Sequence, residues 1–376
     1  MNDEALISRA WPDWTVVQLI GQGTYGTVYH VRHGEMQALD AAVKIIPIPS
    51  DENEIASLRQ QGFSDSQITD YFAQMAQDWR REILTMKKYQ GMSHFVSMED
   101  CKILNRPEGE IGQWILIRME KLKSFISYIS DKTLSEAEVI HLGRQLCGAL
   151  AVCHADGVLH RDIKPDNIFV NDRSASGILY KLGDFGVAAK MKNVSATLSV
   201  KGALGYMAPE IIQGKPYDQR VDIYSLGLTL YKLMNGNRLP FLPAHKLFTH
   251  EDHAVALRMR LSGMPLPPAA NASPGLNQVL SRACAFDPSQ RYASAQDFSR
   301  ALEGALTGKP PKGDSLFARL KKKGLRRVLL WLGVGLLAGA LLLGGLKMLS
   351  SSRRESALRP LETEIPMLTV IQRNDP

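Results

Sequence analysis

His160-Arg161-Asp162-Ile163-Lys164-Pro165-Asp166-Asn167 is a polar, charge-dense run followed at once by the apolar triplet Ile168-Phe169-Val170. Seventeen residues after Asn167 comes Asp184-Phe185-Gly186, and further on Ala208-Pro209-Glu210. Two N-terminal features belong with these. The run Trp14–Ile20 leads into Gly21-Gln22-Gly23-Thr24-Tyr25-Gly26, and Thr27, Val28, Tyr29 and Val31 follow it. β-Branched and aromatic residues on both sides predict two strands joined by a glycine-rich turn. Glycines there permit positive φ and let backbone N–H groups approach phosphate oxygens without an intervening Cβ. A dinucleotide-binding turn uses similar glycines but opens a helix, whereas here the chain continues as strand. Next, Ala41-Ala42-Val43-Lys44-Ile45-Ile46 reads as a strand carrying one lysine in an apolar setting.

The order, spacing and strand context of these five motifs resemble the eukaryotic-type protein kinase family. The resemblance covers about 290 residues (14–303), extending to Asp222 in the run Val221–Gly227 and to Arg291 in Asp287–Ala295. It implies an α+β, bilobal fold: a smaller N-lobe that is mainly β-sheet with one helix, and a larger helical C-lobe, with ATP between them. Lysine at position 164 marks serine/threonine rather than tyrosine specificity within this family.

Roles follow from the same resemblance. Phosphoryl transfer is mostly positioning and charge stabilisation, so cations and N–H donors must surround the transferred group. Gly21, Gly23 and Gly26 are expected over the phosphates. Lys44 is expected to hold the α- and β-phosphates, paired with Glu82, which lies on a helix whose Trp79, Ile83 and Met86 form one apolar stripe. Asn167 and Asp184 offer oxygen ligands suited to Mg2+. Asp162 is expected to accept the proton of the substrate hydroxyl, with Lys164 beside the γ-phosphate. Adenine is expected against Val28 and Ala42 above and Phe169 below, with hinge hydrogen bonds from Glu120 to Leu122 and Met119 as the gatekeeper. Arg161 is placed to meet an activation-loop phosphate, with Ser195, Thr197 and Ser199 as acceptors, and Glu210 is expected to pair with Arg291.

Composition agrees with a globular enzyme bearing an appendage. The 376 residues are 45% hydrophobic and 22% charged, with a formal net charge of +7. Between Lys309 and Arg327 there are eight Lys or Arg against one acid, Asp314. The positive excess is therefore local, which removes the main support for nucleic-acid binding. The four cysteines, Cys101, Cys147, Cys153 and Cys284, have neither disulfide-framework density nor zinc-site spacing. No apolar segment follows the polar start, so no secretory signal is expected.

Val328 to Leu346 is 19 residues without a charge and includes nine leucines. As a helix it would span about 28 Å, close to a hydrocarbon core of about 30 Å. Basic residues on both sides fit anionic headgroups, and their excess before the span predicts a cytoplasmic kinase domain. The expected organisation is an N-terminal extension (1–13), kinase domain (14–303), basic juxtamembrane linker (304–327), transmembrane helix (328–346) and short tail (347–376), a layout similar to bacterial single-pass membrane-bound kinases. Gly335 and Gly339 form a small-xxx-small pair through which two such helices can approach, so a homodimer is one expectation. The partners implied are protein substrates and the membrane.

Two departures from the family pattern stand out. The interval from Lys44 to Glu82 is 38 residues and contains an insertion-like segment, 51–75, in which an extra helix is expected. Ala203 stands where the family generally has threonine, whose hydroxyl ties the catalytic aspartate to the lysine, leaving Asp162 and Lys164 one bridging group short. The alternatives are a weakly active or inactive pseudokinase acting as a membrane scaffold, and a small-molecule kinase of related fold; the latter usually lacks the segment ending in Ala-Pro-Glu.

Overall fold

The structure is a computed structural model that describes residues 2–23, 26–35, 39–172, 174, 177–184, 204–244 and 248–308. Phe185, Gly186, Ser195, Thr197, Ser199, Ala203, the basic linker from residue 309 and the 328–346 span lie outside the described residues. Among the described residues no helix is long and apolar enough to cross a membrane.

The N-lobe is built on an antiparallel five-stranded sheet of order β1-β2-β3-β5-β4, with β1 Trp14–Gly23, β2 Gly26–His33, β3 Asp40–Ile48, β4 Met98–Asn105 and β5 Gln113–Glu120. Successive side chains of a strand face opposite ways, and here the alternation divides the apolar residues between two cores. Ala42, Ile46, Ile48, Ile115, Ile117 and Met119 join the large core shared with the C-lobe. Val31, Ala41, Val43, Ile45, Trp114 and Leu116 form a second core on the other face. That outer face is covered by α1 (Asp3–Ala10), capped by Asn2, whose side chain accepts the Ala5 N–H. Leu6, Ile7 and Trp11 are buried there, each worth roughly 1.5–3 kcal/mol if fully withdrawn from water.

The segment between β3 and β4 is two helices. α2 (Glu52–Gln60) is the extra helix expected from the long interval, and none of its residues is fully buried. α3 (Asp65–Lys88) is a single 24-residue helix opened by a capping box between Ser64 and Gln67. Its buried stripe runs Ile68, Phe72, Ala76, Trp79, Ile83, Met86, a spacing of three or four that places all six on one face.

The C-lobe begins with the short strand β6 (Lys123–Ser124) and α4 (Phe125–Ile129), followed by α5 (Glu136–Ala155). A small sheet, β6-β7-β8, contains β7 (Ile168–Asn171) and β8 (Leu179–Leu182). Then come α6 (Pro209–Ile212), α7 (Arg220–Met234), α8 (His250–Leu261), α9 (Pro274–Ala283) and α10 (Ala295–Thr307). α7 is buried on nearly every face, the property of a helix at the centre of its lobe. α10 runs past residue 303 and stops where Gly308 takes the left-handed conformation, φ +64°. The bilobal α+β architecture matches the expectation from sequence.

Candidate active site

The catalytic loop, residues 160–167, is irregular backbone held from beneath by one carboxylate. Asp222, on α7 and fully buried, accepts the His160 N–H at Oδ2 (2.9 Å) and the Arg161 N–H at Oδ1 (2.7 Å). His154 Nε2 lies 2.9 Å from the same Oδ2. These bonds support Arg161 at φ +66°, a conformation that a non-glycine residue seldom adopts unless its surroundings fix it.

Within the loop the side chains converge on Asp162. Its Oδ2 accepts Lys164 Nζ at 2.9 Å and Asn167 Nδ2 at 2.8 Å, and Asn167 Nδ2 also donates to the Asp162 carbonyl at 2.7 Å. Lys164 therefore reaches Asp162 directly. With its nitrogen committed in this way, Asn167 has its amide oxygen left to turn toward a cation.

His160 is buried, and burial pushes its imidazole below the usual histidine range, overcoming the pull of nearby Asp222 and Asp162. A neutral ring fits its contacts: Nε2 lies 3.0 Å from the Gly183 carbonyl and Nδ1 accepts the Asp162 N–H at 3.4 Å. Gly183 N–H in turn donates to the Asn167 carbonyl at 2.9 Å. The ring and this bond fasten the catalytic loop to Gly183 and Asp184. A Cβ at position 183 would lie 2.7 Å from Phe169 Cε2 and 3.1 Å from Val96 Cγ2, so any larger residue there would have to displace the Phe169 ring.

Asp184 extends from β8 toward the N-lobe, and Lys44 Nζ on β3 donates to its Oδ2 at 2.8 Å. Withdrawal from water would raise the Asp184 carboxyl; the adjacent Lys44 ammonium outweighs this and holds it below the usual carboxylate range. Lys44 Nζ also lies 6.0 Å from the centre of the Trp79 ring of α3. Glu82 is half-buried on α3, three residues beyond Trp79. Lys44 pairs directly with Asp184 in this state, an ionised carboxylate; the amide oxygen of Asn167 is the second expected donor. Two hard oxygen donors of this kind fit Mg2+.

The adenine-side residues expected from sequence share one face of the sheet. Val28 lies opposite Lys44, and Ala42 opposite Met119. Gly26 passes so close to β3 that a Cβ would lie 1.8 Å from the Ile45 carbonyl oxygen, and its φ is +134°. Gly21 pairs with Val28, and Gly23 with Gly26, across the hairpin. Phe169, on β7, is half-buried against the shared core. At the hinge, the Glu120 N–H is already given to the Ser97 carbonyl (3.0 Å), while the Glu120 carboxylate accepts Ser97 N–H (2.6 Å) and Lys181 Nζ (2.6 Å). Leu122 follows just before β6 and packs at the edge of the shared core.

Farther into the C-lobe, Arg291 and Glu210 form the expected ion pair. Arg291 donates from both terminal nitrogens to the two Glu210 oxygens at 2.6 and 2.8 Å, and its remaining donors reach the carbonyls of Ala285, Arg220 and Phe286. Arg161 stacks at 5.6 Å from the Tyr217 ring.

Asp162, Lys164 and Asn167 thus meet at one carboxylate oxygen in the catalytic loop, and Lys44 meets Asp184 across the lobes. Comparison with known proteins agrees. Residues 14–301 match the protein kinase domain family. Serine/threonine-protein kinase Pkn1 of Myxococcus xanthus is 38% identical over 182 residues, covering 46% of this chain and 25% of that protein. PknJ of Mycobacterium tuberculosis is 34% identical over 182 residues (47% of this chain, 30% of that protein), and pkn3 of Myxococcus xanthus 28% over 304 (77% and 49%). The chain thus aligns with a quarter to a half of the length of these relatives. With both lobes, the catalytic loop and the lysine–aspartate pair in place, the chain belongs to the protein kinase family.

Proposed function

We propose that this protein is a serine/threonine kinase that transfers the γ-phosphate of ATP to hydroxyl groups of protein substrates. The observation that carries the reading is the convergence of Lys164 and Asn167 on a single oxygen of Asp162. Oδ2 is occupied by these donors, so Oδ1 is the atom to receive the proton of an incoming hydroxyl. The substrate oxygen then forms a bond to the γ-phosphorus as the bond from that phosphorus to the leaving oxygen of ADP breaks. Lys164, within 2.9 Å of the base, lies where it neutralises the transferred group, and Lys44 serves the α- and β-phosphates with Glu82 as its partner once Asp184 is engaged. Asn167 and Asp184 would hold magnesium, which would supply charge neutralisation at the phosphates.

The same reading includes a membrane tether through residues 328–346, a cytoplasmic kinase domain and activation by phosphorylation among Ser195, Thr197 and Ser199, with Arg161 as the receiving cation. The uncharged apolar run and its basic flanks support the tether. A homodimer through Gly335 and Gly339 is consistent with it.

The test is incubation of the purified protein with Mg-ATP, alone and with a generic basic protein, followed by phosphosite mapping. Transfer to serine and threonine supports the proposal. Absence of transfer despite ATP binding would leave a scaffold. Removing residues 324–376 is expected to release a soluble, ATP-binding domain, and full-length protein that stays in solution without detergent would overturn the tether.

A further inference from the structure

The hairpin β1–β2 carries the glycines expected over the phosphates of ATP, and it lies at one edge of the sheet. β1 is an edge strand paired only with β2, and Val17, Leu19 and Ile20 are 44, 50 and 42% exposed. Hairpins with little apolar cover sit at the low end of local stability. Glycines at the tip add to the entropy lost when it is ordered.

One element outside the matched family domain acts on this hairpin. α1 precedes residue 14, where the family match starts. From the first turn of α1, Asp3 Oδ2 accepts Thr27 Oγ1 at 2.8 Å and Tyr29 OH at 2.9 Å. Thr27 and Tyr29 are two apart on β2, so both present to the outer face, and Thr27 directly follows Gly26. Burial and then the Asp3 carboxylate push the Tyr29 phenol up, which keeps it protonated as a donor. The far end of α1 is also fixed: Trp11 Nε1 donates to Asp100 Oδ2 at 2.7 Å, and the Arg118 guanidinium stacks 5.2 Å from Trp11 and 4.5 Å from Trp14. The helix therefore joins the strand leaving the glycine turn to β4 and β5.

We infer that α1 is a positioning clamp for the glycine-rich hairpin, with Asp3 as the residue that sets it through Thr27 and Tyr29. Ordering the hairpin before ATP arrives removes part of the entropy cost that binding would otherwise carry. The inference rests on the kinase reading of the site. Its effect falls on nucleotide affinity and not on the phosphoryl-transfer step, because Asp3 meets β2 on the face turned away from Lys44.

Both hydroxyls converge on one oxygen, so the amide oxygen of Asp3→Asn can replace it, whereas Asp3→Ala cannot. The experiment measures KM for ATP, kcat, thermal midpoint and amide exchange of β1–β2 in the full chain for wild type, D3A, D3N and Thr27→Val/Tyr29→Phe with and without D3A. The expected result is a rise of about three- to tenfold in KM for ATP in D3A, with kcat within about twofold and faster hairpin exchange. D3N should recover most of the affinity, and D3A should add little to the Thr27→Val/Tyr29→Phe background. An unchanged KM in D3A, or a lowered thermal midpoint as its sole effect, overturns the clamp. Wild-type protein that fails to bind Mg-ATP would instead overturn the kinase reading beneath it.

Discussion

Replacing Asp222 by asparagine tests whether one buried carboxylate sets the catalytic loop. Asp222 takes the Arg161 N–H on one oxygen and the His160 N–H on the other, with His154 sharing the second. Asparagine presents one oxygen and one NH2, so a backbone N–H on one side must face a second donor. The loss of one charge-assisted bond is about 1.5–3 kcal/mol and the stranded buried donor costs about 1–3 kcal/mol, for a total of about 2.5–6 kcal/mol. At about 2–4 °C per kcal/mol for a large domain, the thermal midpoint should fall by roughly 5–24 °C. Activity should fall more than folding suggests, because Arg161 is released from φ +66° and Asp162 is the next residue. A displacement of about 1 Å at a catalytic group costs about a hundredfold in rate. The assay is calorimetric unfolding beside kcat and KM for ATP, with KM expected to change less than about threefold since the N-lobe contacts are untouched. A midpoint within 2 °C of wild type together with kcat within about threefold would refute the reasoning.

Asp162→Asn, Lys44→Met and Asp184→Asn should each reduce phosphotransfer by at least about two to three orders of magnitude, read by initial rates at saturating Mg-ATP; near-normal turnover in Asp162→Asn would remove it as the base. Arg291→Met leaves Glu210 buried without its cation and should destabilise the C-lobe by about 3–5 kcal/mol in denaturant unfolding, whereas a matched apolar pair at both positions should recover much of the loss. His160 is held neutral in the fold with its pKa lowered, so its contribution is complete above the unfolded histidine value of about 6.5 and is lost as pH falls below it. The thermal midpoint should therefore drop as pH falls below about 6.5, and His160→Gln should flatten that slope. Gly183→Ala places a methyl carbon 2.7 Å from the Phe169 ring and should lower both stability and ATP affinity, measured by thermal shift with and without nucleotide.

The catalytic loop, the lysine strand and the glycine turn were legible because their chemistry is confined to short runs whose spacing the backbone fixes. The run Ala41–Ile46 also read as a strand carrying Lys44, and it lies within β3. Asp222 was harder to see. Its partners are about 60 residues away in sequence, yet a lone carboxylate inside the apolar run Val221–Met234 was a signal that something must satisfy it. α1 was silent for a different reason: eight residues give too few turns for a periodic pattern, and its apolar side meets a face formed only when β2, β3 and β5 assemble. The pairing of Lys44 with Asp184 depends on how the lobes meet, which no local pattern encodes. The expected helix after β3 was found, but its neighbour α3 proved to be one uninterrupted rod whose start lies inside the supposed insertion.

That rod makes a lever. At about 1.5 Å per residue, the 14 residues from Asp65 to Trp79 carry the helix about 21 Å away from the point where Trp79 meets Lys44. A tilt of about 5° about that fulcrum moves the Asp65 end by nearly 2 Å, a displacement that the compact lysine site itself would not show. The exposed end of α3, with α2 beside it, is consequently the place to attach a spectroscopic probe: small adjustments around the nucleotide are magnified there, far enough from Asp162 that a label does not interfere with catalysis.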